Sequence, residues 1–183
     1  EIGDDVIIRE FVTVNRGTRE GSVTRVGARV ALLAYAHVAH ECVIESDAVL
    51  VNAATLGGEV FVGHRAVIGG LTGIHQFCRI GRYTIIGAGS KVVQDLPPYL
   101  MADGHPARPY GPNRVGLERA GHSREQIEQI RLIYKLLYDD GLGLEEGMRR
   151  IRAEFAGSPF AEEVLAFCQG TSRGISRPRS RHT

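Results

Sequence analysis

His40, Gly58 and Gln76 stand eighteen residues apart in succession, and Glu41 follows the histidine directly. If the chain climbs one layer every eighteen residues, this spacing stacks an imidazole, a bare backbone and an amide on one wall. Imidazoles as a class titrate near pH 6.5, so a histidine there can take a proton at cellular pH. A glycine leaves its N–H open to approach and can donate to an oxyanion. A base for a hydroxyl proton beside a donor for an oxyanion is what acyl transfer from a thioester to an alcohol requires. Glu41 would orient the ring or favour its charged form. A lone surface histidine is ordinarily structural and a lone glycine ordinarily a corner, so the chemistry depends on whether the layering is real.

The layering is written in the hydrophobic residues. Val26, Leu32, Val38, Ile44, Leu50, Leu56, Val62, Ile68, Ile74, Ile80, Ile86 and Val92 recur every six positions. Four residues after each comes a second column of mostly small residues, including Ala36, Cys42, Ala48, Ala54, Ala66, Cys78 and Ser90. A period of six suits neither a helix nor an open sheet with long connections, but it suits short strands joined by tight corners. An ordinary β-sandwich would lose this phase within two strands. Gly27, Gly57, Gly63, Gly69, Gly81 and Gly87 follow the aliphatic column, and positive φ at the corners is the expected reason for them. The repeat resembles that of the hexapeptide family, in which three hexads make one triangular coil. That resemblance implies a mainly β fold, a left-handed parallel β-helix whose crossovers depart from the right-handed rule, with a C-terminal α-helical tail.

The punctuation of the chain divides it. Residues 1–97 read as β-helix, with N-terminal coils missing because the chain opens at Glu1 inside a repeat. Ile2 and Ile8 already carry the pattern, and a charged, Gly-rich insertion at about 16–25 interrupts it as a loop, a place where contacts often sit. After Asp95-Leu96-Pro97-Pro98 the hexads stop, since proline cannot donate to a ladder, and residues 98–122 read as an irregular connector. Residues 123–183 read as a helical domain. Ser123 to Gln126 offers a capping box ahead of Ile127, Ile130, Tyr134 and Leu137. A second helix is expected to hold Met148, Ile151 and Phe155, and a third to start at Ser158-Pro159 and carry Val164 and Phe167.

Composition removes several classes of function. With 22 basic and 21 acidic residues the net charge is +1, which leaves no overall footprint for nucleic acid. No stretch approaches the ~20 apolar residues of a membrane span, and the N-terminus lacks a signal-peptide pattern. A cytoplasmic protein is expected. Cys42 and Cys78 fall in the same inward column two coils apart, roughly 9 to 10 Å at ~4.8 Å per layer, beyond disulfide reach. With Cys168 in the helical tail, all three are expected to be reduced, core-filling thiols.

Three strings carry a more specific likeness: Ala36-His37-Val38-Ala39-His40-Glu41-Cys42, Asn52-Ala53-Ala54-Thr55-Leu56-Gly57-Gly58, and Ile68-Gly69-Gly70-Leu71-Thr72-Gly73-Ile74-His75-Gln76-Phe77. In this order and at these separations they resemble the acyl carrier protein–UDP-N-acetylglucosamine O-acyltransferases. The likeness continues through Gln94 to Tyr99, Asn113, Gly116-Leu117, Arg119 and Ser123-Arg124-Glu125 to Thr171-Ser172-Arg173-Gly174. It implies transfer of a (3R)-3-hydroxyacyl group from acyl carrier protein to the 3-hydroxyl of UDP-N-acetylglucosamine, the first step of lipid A biosynthesis. By the same matching His40 is the general base and the Gly58 amide serves the oxyanion hole, with no covalent intermediate, bound cofactor or metal. His37, His75 and Gln76 would contact the sugar or the acyl-phosphopantetheine arm, and Asn113 and Arg119 the nucleotide, where a guanidinium suits a diphosphate. Ala88 falls where the family places its acyl-length ruler. The resemblance also implies a homotrimer with sites between adjacent helices.

The chain departs from that pattern in places. Glu59 stands where the family usually carries a histidine after the oxyanion glycine, and Val115 and Ala120 replace polar or basic nucleotide contacts. The family's acidic and basic sugar-binding residues lie in coils upstream of Glu1. Arg173, Arg177, Arg179 and Arg181 could meet an acidic carrier protein or form a plain basic terminus. Three other readings stay open: a γ-type carbonic anhydrase, although no histidine pair has its five-residue spacing; a coenzyme A-dependent hexapeptide acetyltransferase; and an inactive trimeric scaffold.

Overall fold

The structure is a computed structural model and describes residues 1–138 and 142–179. From Ile7–Ile8 to Lys91–Val92 every strand is two residues long and every pairing is parallel. Ala31 pairs with Val49 and Val49 with Val67, so one coil takes eighteen residues. Thr13 pairs with His37 instead, a separation of twenty-four, because the insertion adds six residues to that coil alone.

The coils build a three-faced prism. The first face stacks strands at 7–8, 31–32, 49–50, 67–68 and 85–86. The second stacks 13–14, 37–38, 55–56, 73–74 and 91–92, and the third 25–26, 43–44, 61–62 and 79–80. Successive side chains of a strand point to opposite sides, so the first residue of each pair faces out and the second faces in. Leu32, Val38, Leu50, Leu56, Val62 and Ile68 are accordingly buried. The small column fills the narrow corners, where Ala36, Cys42, Ala48 and Ala54 are fully enclosed. Where the column turns polar its hydroxyls are bonded: Thr72 donates to Gly87 O, Thr84 to Pro97 O and Ser90 to Gly87 O.

The repeat glycines have a different task from the one expected. Left-handed φ at the corners falls on non-glycine residues every six positions, among them Arg29, Tyr35, Glu41, Asp47, Glu59 and Phe77. Gly27, Gly57, Gly63, Gly69 and Gly81 are needed instead because the backbone of the next layer approaches too closely for a Cβ, whereas at Gly87 an added Cβ would come closest to the Asp103 side chain, at 3.0 Å. A Cβ on Gly57 would lie 2.7 Å from Gln76 N, and one on Gly81 2.2 Å from Pro98 N.

Residues 98–122 are also more ordered than an irregular connector. Leu100–Gly104 adds to the edge of the first face, parallel to 85–86, and turns back antiparallel as Ala107–Pro112. The prolines that mark this stretch as loop sit at its ends and turn, except Pro109, which lies inside the outer strand opposite the register shift at Met101/Ala102, and the hairpin covers an otherwise open ladder. Helix α1 follows at Arg114–Arg119, then α2 at Arg124–Leu137, α3 at Leu144–Glu154 and α4 at Pro159–Gln169. The capping box at Ser123 and Gln126 is formed on both sides, Met148 and Ile151 are buried on α3 with Phe155 as its C-cap, and Ser158 caps α4. The helices bury a second core against Tyr83 and Tyr99 on the outer corner between the third and first faces. Beyond α4 the chain returns to the prism: Asp95 N–H donates to Gly174 O and Ser176 N–H to Asp95 O, each at 2.9 Å. Arg173 and Arg177 bond to Val93 O and Leu142 O, whereas Arg181 lies outside the described residues. All three cysteines are buried free thiols, and burial pushes Cys42 and Cys78 up to about 11 and Cys168 to about 12. Among the described residues no helix is long and apolar enough to cross a membrane.

Candidate active site

The corner between the second and third faces carries residues 39–42, then 57–60 and 75–78 in the layers above. Each layer places one residue there in the left-handed region, at φ 54° for Glu41, 58° for Glu59 and 66° for Phe77. The ladder uses Glu59 N–H on His40 O and Phe77 N–H on Gly58 O, which stacks the three corners directly. The insertion, between Thr13–Val14 and Arg25–Val26, leaves the same corner one coil below and folds back over it.

That fold-back encloses Glu41. Its carboxylate accepts from Thr18 N–H at 2.7 Å, Thr18 Oγ1 at 3.0 Å, Ser22 Oγ at 2.6 Å and Arg19 N–H at 3.3 Å. Its own N–H donates to Thr24 Oγ1 at 2.8 Å. The Ser22 hydroxyl first and the Thr18 N–H second hold Glu41 well below the usual carboxylate range, against the effect of burial. His40 Nδ1 is hydrogen-bonded to the same carboxylate. An ionised carboxylate can only accept, so the proton of a neutral imidazole belongs on Nδ1, and Nε2 carries the free lone pair.

The far edge of the ring lies on Gly58. A Cβ at that position would meet His40 Cε1 at 2.5 Å and Nε2 at 2.6 Å, so only glycine leaves the imidazole its place. Among the described residues the Gly58 N–H donates no backbone hydrogen bond, and the coil does not use it. A proton acceptor and a donor without a backbone partner therefore sit side by side, with Gly58 buried under the ring, His40 about two-fifths exposed and Glu41 almost covered.

The other expected residues are distributed over the prism. His75 and Gln76 are exposed on the layer above Gly58, and His75 Nδ1 lies 3.1 Å from Gln76 O. His37 stands on the outer side of the second face, its Nδ1 2.7 Å from Thr13 Oγ1. Ala88 is exposed on the corner at the opposite edge of the second face, three layers above His37, or roughly 14 Å at ~4.8 Å per layer. Arg119 is exposed in the last turn of α1. Asn113 is buried, and its amide is committed within the chain: it donates to Tyr83 O at 2.7 Å and accepts from Gly116 N–H at 3.0 Å as the cap of α1. Asn113 thereby fixes the start of the helix that carries Arg119. One chain thus unites His40, Glu41, Gly58, His75 and Gln76, and leaves Ala88 and Arg119 on other corners. Thr18, Arg19 and Ser22 were not expected; their only sequence signal is membership of the insertion. Among the described residues no three His, Cys, Asp or Glu side chains converge as a metal site.

Residues 95–176 match the family described as Udp N-acetylglucosamine O-acyltransferase, domain 2. The acyl-[acyl-carrier-protein]–UDP-N-acetylglucosamine O-acyltransferase of Alkalilimnicola ehrlichii is 43% identical over 178 residues, covering 97% of this chain and 69% of that one. The chain belongs to this family of acyltransferases. Its three-dimensional likeness extends beyond the coils to the helices. LpxA from Acinetobacter baumannii superimposes with a TM-score of 0.91 at 35% identity, over 96% of this chain and 69% of that one. The UDP-N-acetylglucosamine acyltransferase of Francisella novicida does so with 0.94 at 35% identity, over 98% and 66%. Membership makes the chain an acyltransferase of lipid A biosynthesis.

Proposed function

We propose that this protein transfers a (3R)-3-hydroxyacyl group from acyl carrier protein to the 3-hydroxyl of UDP-N-acetylglucosamine. The observation that carries the reading is His40, held by ionised Glu41 through Nδ1 and laid with its Nε2 edge on bare Gly58. Nε2 takes the proton of the sugar hydroxyl as its oxygen bonds to the thioester carbonyl carbon. The carbonyl oxygen becomes an oxyanion that accepts from Gly58 N–H. Collapse breaks the carbon–sulfur bond, and the phosphopantetheine thiolate leaves with the proton returned from the imidazolium. Glu41 stabilises that imidazolium in between, so the enzyme ends in its starting state and no acyl group bonds to it.

His75, Gln76 and His37 flank this centre and serve the sugar and the acyl-phosphopantetheine arm. Arg119 serves the diphosphate, and Ala88 limits acyl length. Because those last two lie on other corners, the reading needs a second copy to present them, as a homotrimer with sites between adjacent prisms would. Phe11 and Tyr35, stacked with ring centroids 5.0 Å apart, and Leu71 lie exposed in one column along the Ala88 corner and favour such an assembly.

The test is mass-spectrometric detection of acylated UDP-N-acetylglucosamine made by the full-length gene product from 3-hydroxyacyl carrier protein. His40→Ala should lower the rate by about 10²- to 10⁴-fold, the usual share of a general base. Unchanged turnover in His40→Ala would remove the mechanism. Consumption of coenzyme A thioesters but not carrier-protein thioesters would replace the substrate.

A further inference from the structure

Two carboxylates stand beside the acting groups, and both belong to the same corner column. Glu41 follows His40 and Glu59 follows Gly58, one layer apart, each in the left-handed conformation. Glu41 has a task in holding the ring. Glu59 does not touch the imidazole, and a negative charge there opposes both a developing oxyanion and an anionic ligand.

Arg19 lies between them. Its Nη2 is 3.1 Å from Glu59 Oε1 and its Nε 3.8 Å from Glu41 Oε1. The placement is built into the loop: Arg19 N–H donates to Ser22 Oγ at 3.0 Å, and Arg19 O accepts from Ser22 N–H at 3.0 Å. The loop itself is already fastened to Glu41 by the main chain and hydroxyls of Thr18 and Ser22. The guanidinium is therefore not required as an anchor, and it remains about two-thirds exposed at the mouth of the site.

We propose that Arg19 is a positioning and specificity residue for the anionic acceptor, acting by neutralising Glu59 beside the His40–Gly58 centre. The insertion thus does two things: its hydroxyls hold the carboxylate that orients the base, and its cation offsets the carboxylate next to the oxyanion donor. The inference rests on the activity proposed above and identifies what lets a nucleoside-diphosphate sugar approach an acidic corner.

The experiment compares Arg19→Gln, Arg19→Lys, Glu59→Gln and the Arg19→Gln/Glu59→Gln double variant in the full-length protein. Each is assayed for kcat and KM toward UDP-N-acetylglucosamine with saturating acyl carrier protein thioester, alongside its thermal midpoint. Arg19→Gln should lower kcat/KM about tenfold or more, chiefly through KM, while Arg19→Lys keeps the charge and most of the activity. Glu59→Gln should stay within about threefold of wild type, and the double variant should recover to the same range, the signature of two coupled charges. A double variant no better than Arg19→Gln overturns the proposal, because Arg19 would then contact substrate directly or serve only the loop. So does Glu59→Gln as damaging as Arg19→Gln, which would make the pair a clamp. A wild-type protein without turnover overturns the parent activity, and this inference with it, so the two failures read differently.

Discussion

At the residue scale the site depends on what Gly58 lacks. Its backbone is not in the left-handed region, so alanine fits the local conformation, but the added carbon would meet the imidazole at 2.5 to 2.6 Å. A ring at the end of a side chain can swing aside at little cost to the fold, whereas a displaced Nε2 no longer stands beside the unpartnered N–H. Gly58→Ala is expected to lower kcat by about 10²- to 10³-fold, the range for loss of an oxyanion arrangement. The thermal midpoint should move little, and steady-state kinetics with a melting curve checks both halves. The pairing of His40 with Gly58 is legible from an eighteen-residue interval. The proton's place on Nδ1 is not, because it follows from loop donors that keep Glu41 ionised.

At the element scale the corners explain which glycines matter for stability. Gly81 has Pro98 N, Cα and Cδ within 2.6 Å of a virtual Cβ, and two of these are backbone atoms that cannot rotate away. Gly73, on the outer side of the second face, has nothing within 4 Å. Gly81→Ala should therefore destabilise by about 1–3 kcal/mol through overpacking, while Gly73→Ala is neutral or slightly stabilising. Denaturant midpoints of the two variants check the contrast, and equal effects would remove the layer-contact account. Sixfold spacing placed the strands and the two buried columns, since one aliphatic residue in six must face the axis. It misassigned the reason for the glycines, because contact between layers is invisible in a one-dimensional repeat. The hairpin at Leu100–Gly104 and Ala107–Pro112 escaped for a related reason: it is held by pairing to residues 85–86, while its prolines alone signal a loop.

At the scale of the whole molecule, one chain distributes the expected functional residues over three corners of a prism. His40, Glu41 and Gly58 share one corner, Ala88 sits on the next, and α1 with Arg119 is anchored through Asn113 to Tyr83 on the third. The threefold association proposed for this protein would bring different corners of neighbouring copies together. The full-length protein is expected to run as a trimer in light scattering, and Tyr35→Glu, which puts a charge into the exposed Phe11–Tyr35 stack, to shift it toward monomer with loss of turnover. A monomeric protein with full activity would remove the shared site. The amino-acid order alone determined the coil, the inward columns and the stacking of an imidazole over a bare glycine, because each follows from periods of six and eighteen. Only the tertiary structure decided that the insertion closes on Glu41, that Arg19 reaches Glu59, and that Asn113 is buried as a cap. Those contacts join segments whose separation obeys no repeat, and only the path of the folded loop and hairpin sets them.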